Sequence, residues 1–223
     1  MTENEFLLID RIQKIQQIIG QYGEENFYIS FSGGKDSTVL HYLIDEAIPG
    51  NKIPRVYANT GIELNMIRDY VLNLQKTDDR IVVIKPSVPI KPMLEQEGYP
   101  FKSKSHAQAV GSYQRKKELT PWTFHYLGGD GLYSRTKQCP EILRYQFTPE
   151  FKLKISDKCC LRMKEEPLHK WEKENNRPFG ILGLTRNEGG GGASRPFALH
   201  GKARRNSIFS LWRQSQKTGK IGT

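Results

Sequence analysis

The run Tyr28-Ile29-Ser30-Phe31 breaks at Ser32-Gly33-Gly34-Lys35-Asp36-Ser37-Thr38 and resumes with Val39-Leu40 in a helical pattern. A strand, a glycine turn and a helix in immediate succession place a helix N-terminus beside a strand end, which only a few architectures do. Gly33 and Gly34 let the backbone turn tightly and aim successive N–H groups into one concavity, and the helix adds its positive end to the same place. This is the makeup of a phosphate site. Lys35 supplies a charge at its rim, Ser37 and Thr38 supply hydroxyls in the first helical turn, and Asp36 either caps that turn or holds Mg²⁺. The stretch is not the common lysine-containing phosphate loop, whose first glycine would fall at Ile29. An aspartate also follows Lys35 where that loop carries a Ser or Thr, so hydrolysis of a γ-phosphate is disfavoured.

Apolar spacing predicts a helix over 5–19, with Leu8, Ile12, Ile15 and Ile19 on one face, widened by Phe6, Ile9 and Ile18, and ended by Gly20 and Gly23. A strand over 26–31 and a helix over 37–47 follow, the latter burying Val39, Leu40, Leu43 and Ile44. Residues 54–58 and 80–85 read as further strands and 62–74 as a helix between them. Strands alternating with helices over short links imply right-handed crossovers on a parallel sheet. The expected fold class is therefore α/β: a parallel twisted sheet flanked by helices, Rossmann-like. Ligands in such sheets lie beyond the carboxyl ends of the strands. The 32–37 loop and Asn59-Thr60-Gly61-Ile62-Glu63 both fall there, and are expected to line one crevice.

From Pro86 the pattern dissolves among Pro89, Pro92, Pro100 and Pro121, with a helix expected near 104–119 and a turn at Gly128-Gly129-Asp130-Gly131. We read about 86–157 as an irregular basic insertion. Its Trp122, Phe124, Tyr126 and Tyr133 either stack bases or form its own small core. A helix is expected from Pro167 to Asn175 or Asn176, then a strand over 179–185. The domain reading is a helix at 1–25, a nucleotide domain at 26–195 and a basic tail at 196–223.

Net charge is uneven: residues 1–100 hold 10 Lys+Arg and 14 Asp+Glu, whereas residues 101–223 hold 24 and 10. An excess of that size in the second half leaves room for nucleic acid beyond a nucleotide's phosphates. No apolar run approaches a membrane span, and the first ten residues lack a basic flank, so a cytoplasmic, membrane-free protein is expected. Cys139, Cys159 and Cys160 do not make a disulfide framework, which leaves buried thiols, metal ligands or redox chemistry.

The segment Ser32-Gly33-Gly34-Lys35-Asp36-Ser37 resembles the PP-loop of the adenine-nucleotide α-hydrolase superfamily, whose members include ATP pyrophosphatases and phosphoadenylylsulfate (PAPS) reductases. Three further segments resemble the PAPS reductase branch in order: Asn59-Thr60-Gly61-Ile62-Glu63; Lys158-Cys159-Cys160 with Lys164 and Pro167-Leu168; and Gly183-Leu184-Thr185-Arg186-Asn187-Glu188 with Arg195. The likeness covers about residues 26–195. It implies an adenine nucleotide α-hydrolase-like fold that takes ATP or PAPS with Mg²⁺. It also implies nucleotide contacts from Ser30, Ser32, Gly33, Gly34, Lys35, Asp36, Ser37, Thr38, Asn59, Thr60, Gly61, Glu63, Arg186, Glu188 and Arg195, with Lys35, Asp36 and Arg186 catalytic. The cysteines match part of an iron–sulfur ligand set in some relatives, with Cys139 as a third ligand; zinc with His169, or three inert thiols, are the other readings.

Two reactions fit the likeness. In the first, ATP pyrophosphatase or adenylyl-transfer chemistry activates an acceptor such as tRNA, and a thiol or sulfur-donor protein completes sulfur transfer. In the second, a reductase attacks PAPS with a C-terminal cysteine, although no cysteine follows Cys160 in this sequence. A non-catalytic nucleotide- or nucleic-acid-binding module is the third reading.

Overall fold

Phe27, Tyr28 and Ile29 are fully buried and point alternately to two opposite layers, which makes the strand they form the centre of the fold. The computed structural model describes residues 2–129, 131, 138–183 and, as backbone, 198–200. It divides into two units, one of Met1–Asn59, Glu63–Lys85 and Leu168–Thr223, the other of Thr60–Ile62 and Pro86–Pro167.

The first unit runs α1 (Glu3–Tyr22), β1 (Phe27–Ser30), α2 (Lys35–Ala47), β2 (Arg55–Ala58), α3 (Asn65–Gln75) and β3 (Ile81–Ile84), and later α7 (Glu166–Glu174), β4 (Phe179–Leu182) and β5 (Ala198–His200). The sheet order is β3-β2-β1-β4-β5. The first four strands are parallel, and β5 runs antiparallel to β4 through Ile181 opposite Leu199. The α/β, Rossmann-like expectation holds at that level. On one face Ile15 and Ile19 of α1, Leu40 and Ile44 of α2 and Val71 of α3 pack against Phe27, Ile29, Tyr57 and Ile181. On the other, Trp171 and Leu168 of α7 cover Tyr28 and Val56. Each such buried apolar side chain contributes about 1.5–3 kcal/mol of transfer free energy. No described helix is long and apolar enough to cross a membrane.

Several boundaries differ from the sequence reading. The first helix passes through Gly20 and stops at Gly23, which takes φ 80°. A capping box between Thr2 and Glu5 starts it, and burial of Ile15 and Ile19 outweighs the roughly 1 kcal/mol cost of an internal glycine. Phe6, Leu8 and Ile9, assigned to its buried face, are exposed, as is Val39 on α2. The third helix starts at Asn65 rather than at 62, because Gly61 takes φ 82° and Leu64 is extended. The strand expected over 179–185 ends at Leu182, and residues 184–197 lie outside the described ones.

The second unit is less irregular than its prolines imply. It holds α4 (Ile90–Glu97), α5 (Lys104–Lys116), α6 (Pro121–Tyr126) and a 3₁₀ segment, Glu141–Phe147. Pro121 is the first residue of α6 and Pro92 lies in the first turn of α4, where a missing N–H breaks no helical bond; these prolines start helices. Ala107, Val110, Tyr126, Phe147 and Ile155 form a separate core around buried His106, whose ring nitrogens meet Tyr126 Oη at 3.0 Å and Gln146 Oε1 at 2.8 Å. Trp122 stacks on Tyr126 at 5.8 Å, so those two aromatics belong to this core, whereas Phe124 is exposed and Tyr133 lies outside the described residues.

Candidate functional site

The loop after β1 is held by its own serines. Ser37 is buried, donates to Gly34 O at 2.9 Å and accepts from the Ser32 amide at 3.3 Å, while the two hydroxyl oxygens sit 3.0 Å apart. Ser32 Oγ also accepts from the Gly34 amide at 3.3 Å. Gly33 adopts φ 72°, and a Cβ there would fall 2.6 Å from Val71 Cγ2 and 2.9 Å from Ile67 Cγ2 of α3. No larger residue fits this turn without displacing α3.

Gly34 is the N-cap of α2 and no side chain caps it. Asp36, expected either to cap this turn or to hold Mg²⁺, does not cap it: it is the second helical residue, and a cap must precede the helix. Thr38 N bonds Gly34 O at 3.0 Å, whereas no hydrogen bond among the described residues engages the amides of Lys35, Asp36 or Ser37. Three donors with no partner among the described residues, at a helix N-terminus with exposed Lys35 beside them, form a concentrated positive end.

Strand order puts this end at a special place. The chain leaves β1 to pair β2 on one side, and returns at β4 on the other, so the direction of winding reverses at β1. Gly183, directly after β4, approaches so closely that a Cβ on it would lie 2.7 Å from Asp36 O and 3.1 Å from Ser37 N. The segment entering Arg186, Glu188 and Arg195 therefore begins against the first turn of α2; those three residues lie outside the described ones. Ser30 ends β1, and Asn59, whose amide donates to Ile84 O at 2.9 Å, follows the neighbouring β2. Glu63 belongs to the first unit and Thr60 and Gly61 to the second. Burial raises the Tyr57 hydroxyl, with the Glu63 charge adding to the effect.

The cysteines are all in the second unit. Cys139 is buried in its core, where desolvation raises the thiol, and Cys159 and Cys160 precede a π-helical turn, Leu161–Glu165, that runs directly into α7. Among the described residues no three His, Cys, Asp or Glu side chains gather so as to hold a metal ion. His169, the suggested zinc partner, sits 2.7 Å from Glu172, which also accepts from the buried Tyr28 hydroxyl.

One buried cluster was not anticipated. Arg55, fully buried at the start of β2, donates to Asp45 Oδ1 at 2.6 Å, Asn51 Oδ1 at 2.8 Å and His41 Nδ1 at 3.1 Å, and Arg80 joins Asp45 at 2.6 Å to Asp78 at 2.7 Å. Burial lowers the Arg55 guanidinium to about 10 and lowers His41, with the Arg55 charge adding to the latter. Hydrogen bonds from Arg80 hold Asp78 down at about 2. Burial works against Asp45, yet hydrogen bonds from Arg80 and Asn51 keep its carboxyl below the usual range. Its place at the amino end of β2, away from the strand end that carries the loop, makes it structural. The signal was legible: Arg55 alternates with Val56 and so shares the inward face with Tyr57.

Compared with models of known families and with curated proteins, the chain matches none.

Proposed function

We propose that the chain binds an adenine nucleotide by its phosphates at the 32–37 loop and acts as a PP-loop enzyme that cleaves ATP between the α- and β-phosphates. The observation that carries this is the amide end of α2, Lys35 to Ser37, unengaged among the described residues, at the strand where the winding reverses. Sequence adds the Lys35-Asp36 order, which departs from the γ-phosphate loop, and the four segments that resemble the PAPS reductase branch in order. The finer fold reading, adenine nucleotide α-hydrolase-like, rests on the same residues.

In this reading the Lys35, Asp36 and Ser37 amides bind the pyrophosphate portion and stabilise the charge that grows on it as it leaves. Lys35 supplies a mobile point charge to the same oxygens. Ser32 and Ser37 keep the loop in shape, so they position rather than react. Mg²⁺ bound with the nucleotide would neutralise phosphate charge; Asp36, a single carboxylate, fits it only as one ligand among phosphate oxygens and water. The described cysteines do not fit a cluster, and no step runs through one.

The test is product analysis with Mg²⁺-ATP and total tRNA as first acceptor. Pyrophosphate and AMP are expected. ADP would overturn the loop assignment, and sulfite release from PAPS with thioredoxin would replace the reading by a reductase.

A further inference from the structure

The second unit encloses a cavity of about 760 Å³ between the C-terminal part of α5 and the chain over 148–158. Its walls are tied together through the backbone. Gln114 donates to Leu153 O at 2.8 Å and accepts from Ile155 N at 3.0 Å. Gly111 lets α5 approach so closely that a Cβ would lie 2.8 Å from Ile155 O. Tyr99 N donates to Lys154 O at 2.8 Å, and Ser156 N to Tyr99 O at 3.0 Å, pinning the second wall from behind.

Arg115, Lys117, Lys152, Lys154 and Lys158 line this cavity. Among the described residues Lys158 pairs with the Glu97 carboxylate at 2.7 Å, and Lys152 helps to lower the exposed Glu150 carboxyl. Glu97 is the one acid of the lining, and Arg162 also holds it, at 2.5 Å. Lys152 and Lys154 donate to the neutral carbonyls of Pro149 and Gln96. Arg115 and Lys117 have no acidic partner among the described residues. The dipole of α5 accounts for cations at its own C-terminus, but not for Lys152 and Lys154, which arrive from a separate segment. Among the described residues the cations from the two segments outnumber the acids beside them, and that excess repels itself unless an anion enters.

We propose that this cavity binds the backbone of a single-stranded nucleic acid. Its cations are spread along two walls rather than focused on one point, as a repeating phosphate chain requires. Tyr113 and Phe151, half-buried against the core of the unit, lie in the same lining, where their remaining exposed edges are next to the cations. Its volume lies in the range of small-ligand sites. The site does not depend on a nucleotide at the 32–37 loop, so either reading can fail alone.

The test is fluorescence anisotropy of the full chain with a labelled oligouridylate 12-mer across a salt series. Wild type is expected to bind with an affinity that falls steeply with salt, by a log–log slope of about 0.7 per phosphate neutralised. Arg115→Glu/Lys117→Glu and the milder Arg115→Gln/Lys117→Gln should weaken binding, the former at least tenfold, and flatten the slope. All these positions are exposed, so circular dichroism should be unchanged. The control reversal Lys76→Glu/Lys173→Glu, in the first unit, should change affinity less than twofold. Absence of binding at low salt, equal losses in cavity and control variants, or no loss in the cavity variants would each overturn the proposal. So would a duplex that binds as well as the strand, or inorganic polyphosphate that displaces it at equal phosphate concentration.

Discussion

Gly183 lies against the backbone of Asp36: the residue directly after β4 meets the first turn of the helix that follows β1. A methyl group there would meet the Asp36 carbonyl oxygen at 2.7 Å, and backbone cannot step aside as a side-chain tip can. Gly183→Ala should therefore shift the start of α2 and weaken ATP binding about tenfold or more, with a stability loss of about 1–3 kcal/mol. Calorimetric titration beside urea unfolding separates the two effects. Unchanged affinity would mean that the contact does not shape the loop.

Gly33→Ala tests the other side of the same loop. A positive φ costs an L-residue roughly 1–2 kcal/mol, and contact with Val71 and Ile67 adds to it. Combining it with Val71→Ala should not restore wild-type stability, because the backbone conformation stays strained and a buried side chain is lost as well. Urea midpoints check this, and a variant as stable as wild type would contradict the turn geometry.

Acid should weaken the fold through His41 and His106. Both are lowered, chiefly by burial. In the folded chain they resist protons that the unfolded chain takes up below about pH 6.5. The unfolded state then binds more protons, so stability is full above that pH and is lost as pH falls toward the folded values. Asp78, held at about 2, adds a second loss as pH falls from about 4 to 2. Thermal melts from pH 8 to 4 should show a plateau and then a decline. His41→Gln should make that decline shallower; a melting temperature that rises on acidification would contradict the assignment.

Asp45 joins Arg55 to Arg80, so Asp45→Asn leaves a fully buried guanidinium short of its counter-charge. Breaking such a pair costs about 3–5 kcal/mol. Asp10→Asn, which removes half-exposed surface pairings with Lys14 and Arg11, should cost under about 1 kcal/mol. Comparable losses in the two variants would show that the buried cluster is not a stability element.

The sheet was legible because Phe27 to Phe31, Arg55 to Ala58 and Ile81 to Ile84 are short apolar runs between helical periods, and periodicity reports burial directly. The turn between β1 and α2 was legible because Gly33 and Gly34 interrupt such a run. What escaped reading depends on long-range contact. That Ser37 turns back to Ser32, or that Phe6, Leu8 and Ile9 remain uncovered, is decided by neighbours and not by spacing. In the second unit the helix expected near 104–119 is α5, whereas α4 and α6 were hidden because Pro92 and Pro121 look like breaks until their positions at helix starts are known.

The most direct test of the central claim is titration of ATP into wild type and Lys35→Ala. Lys35 is exposed on the loop and fills no core volume, so the variant should melt with wild type. The account predicts measurable ATP binding by wild type and its loss in the variant. Equal affinity in the two proteins, with the fold intact, would contradict it.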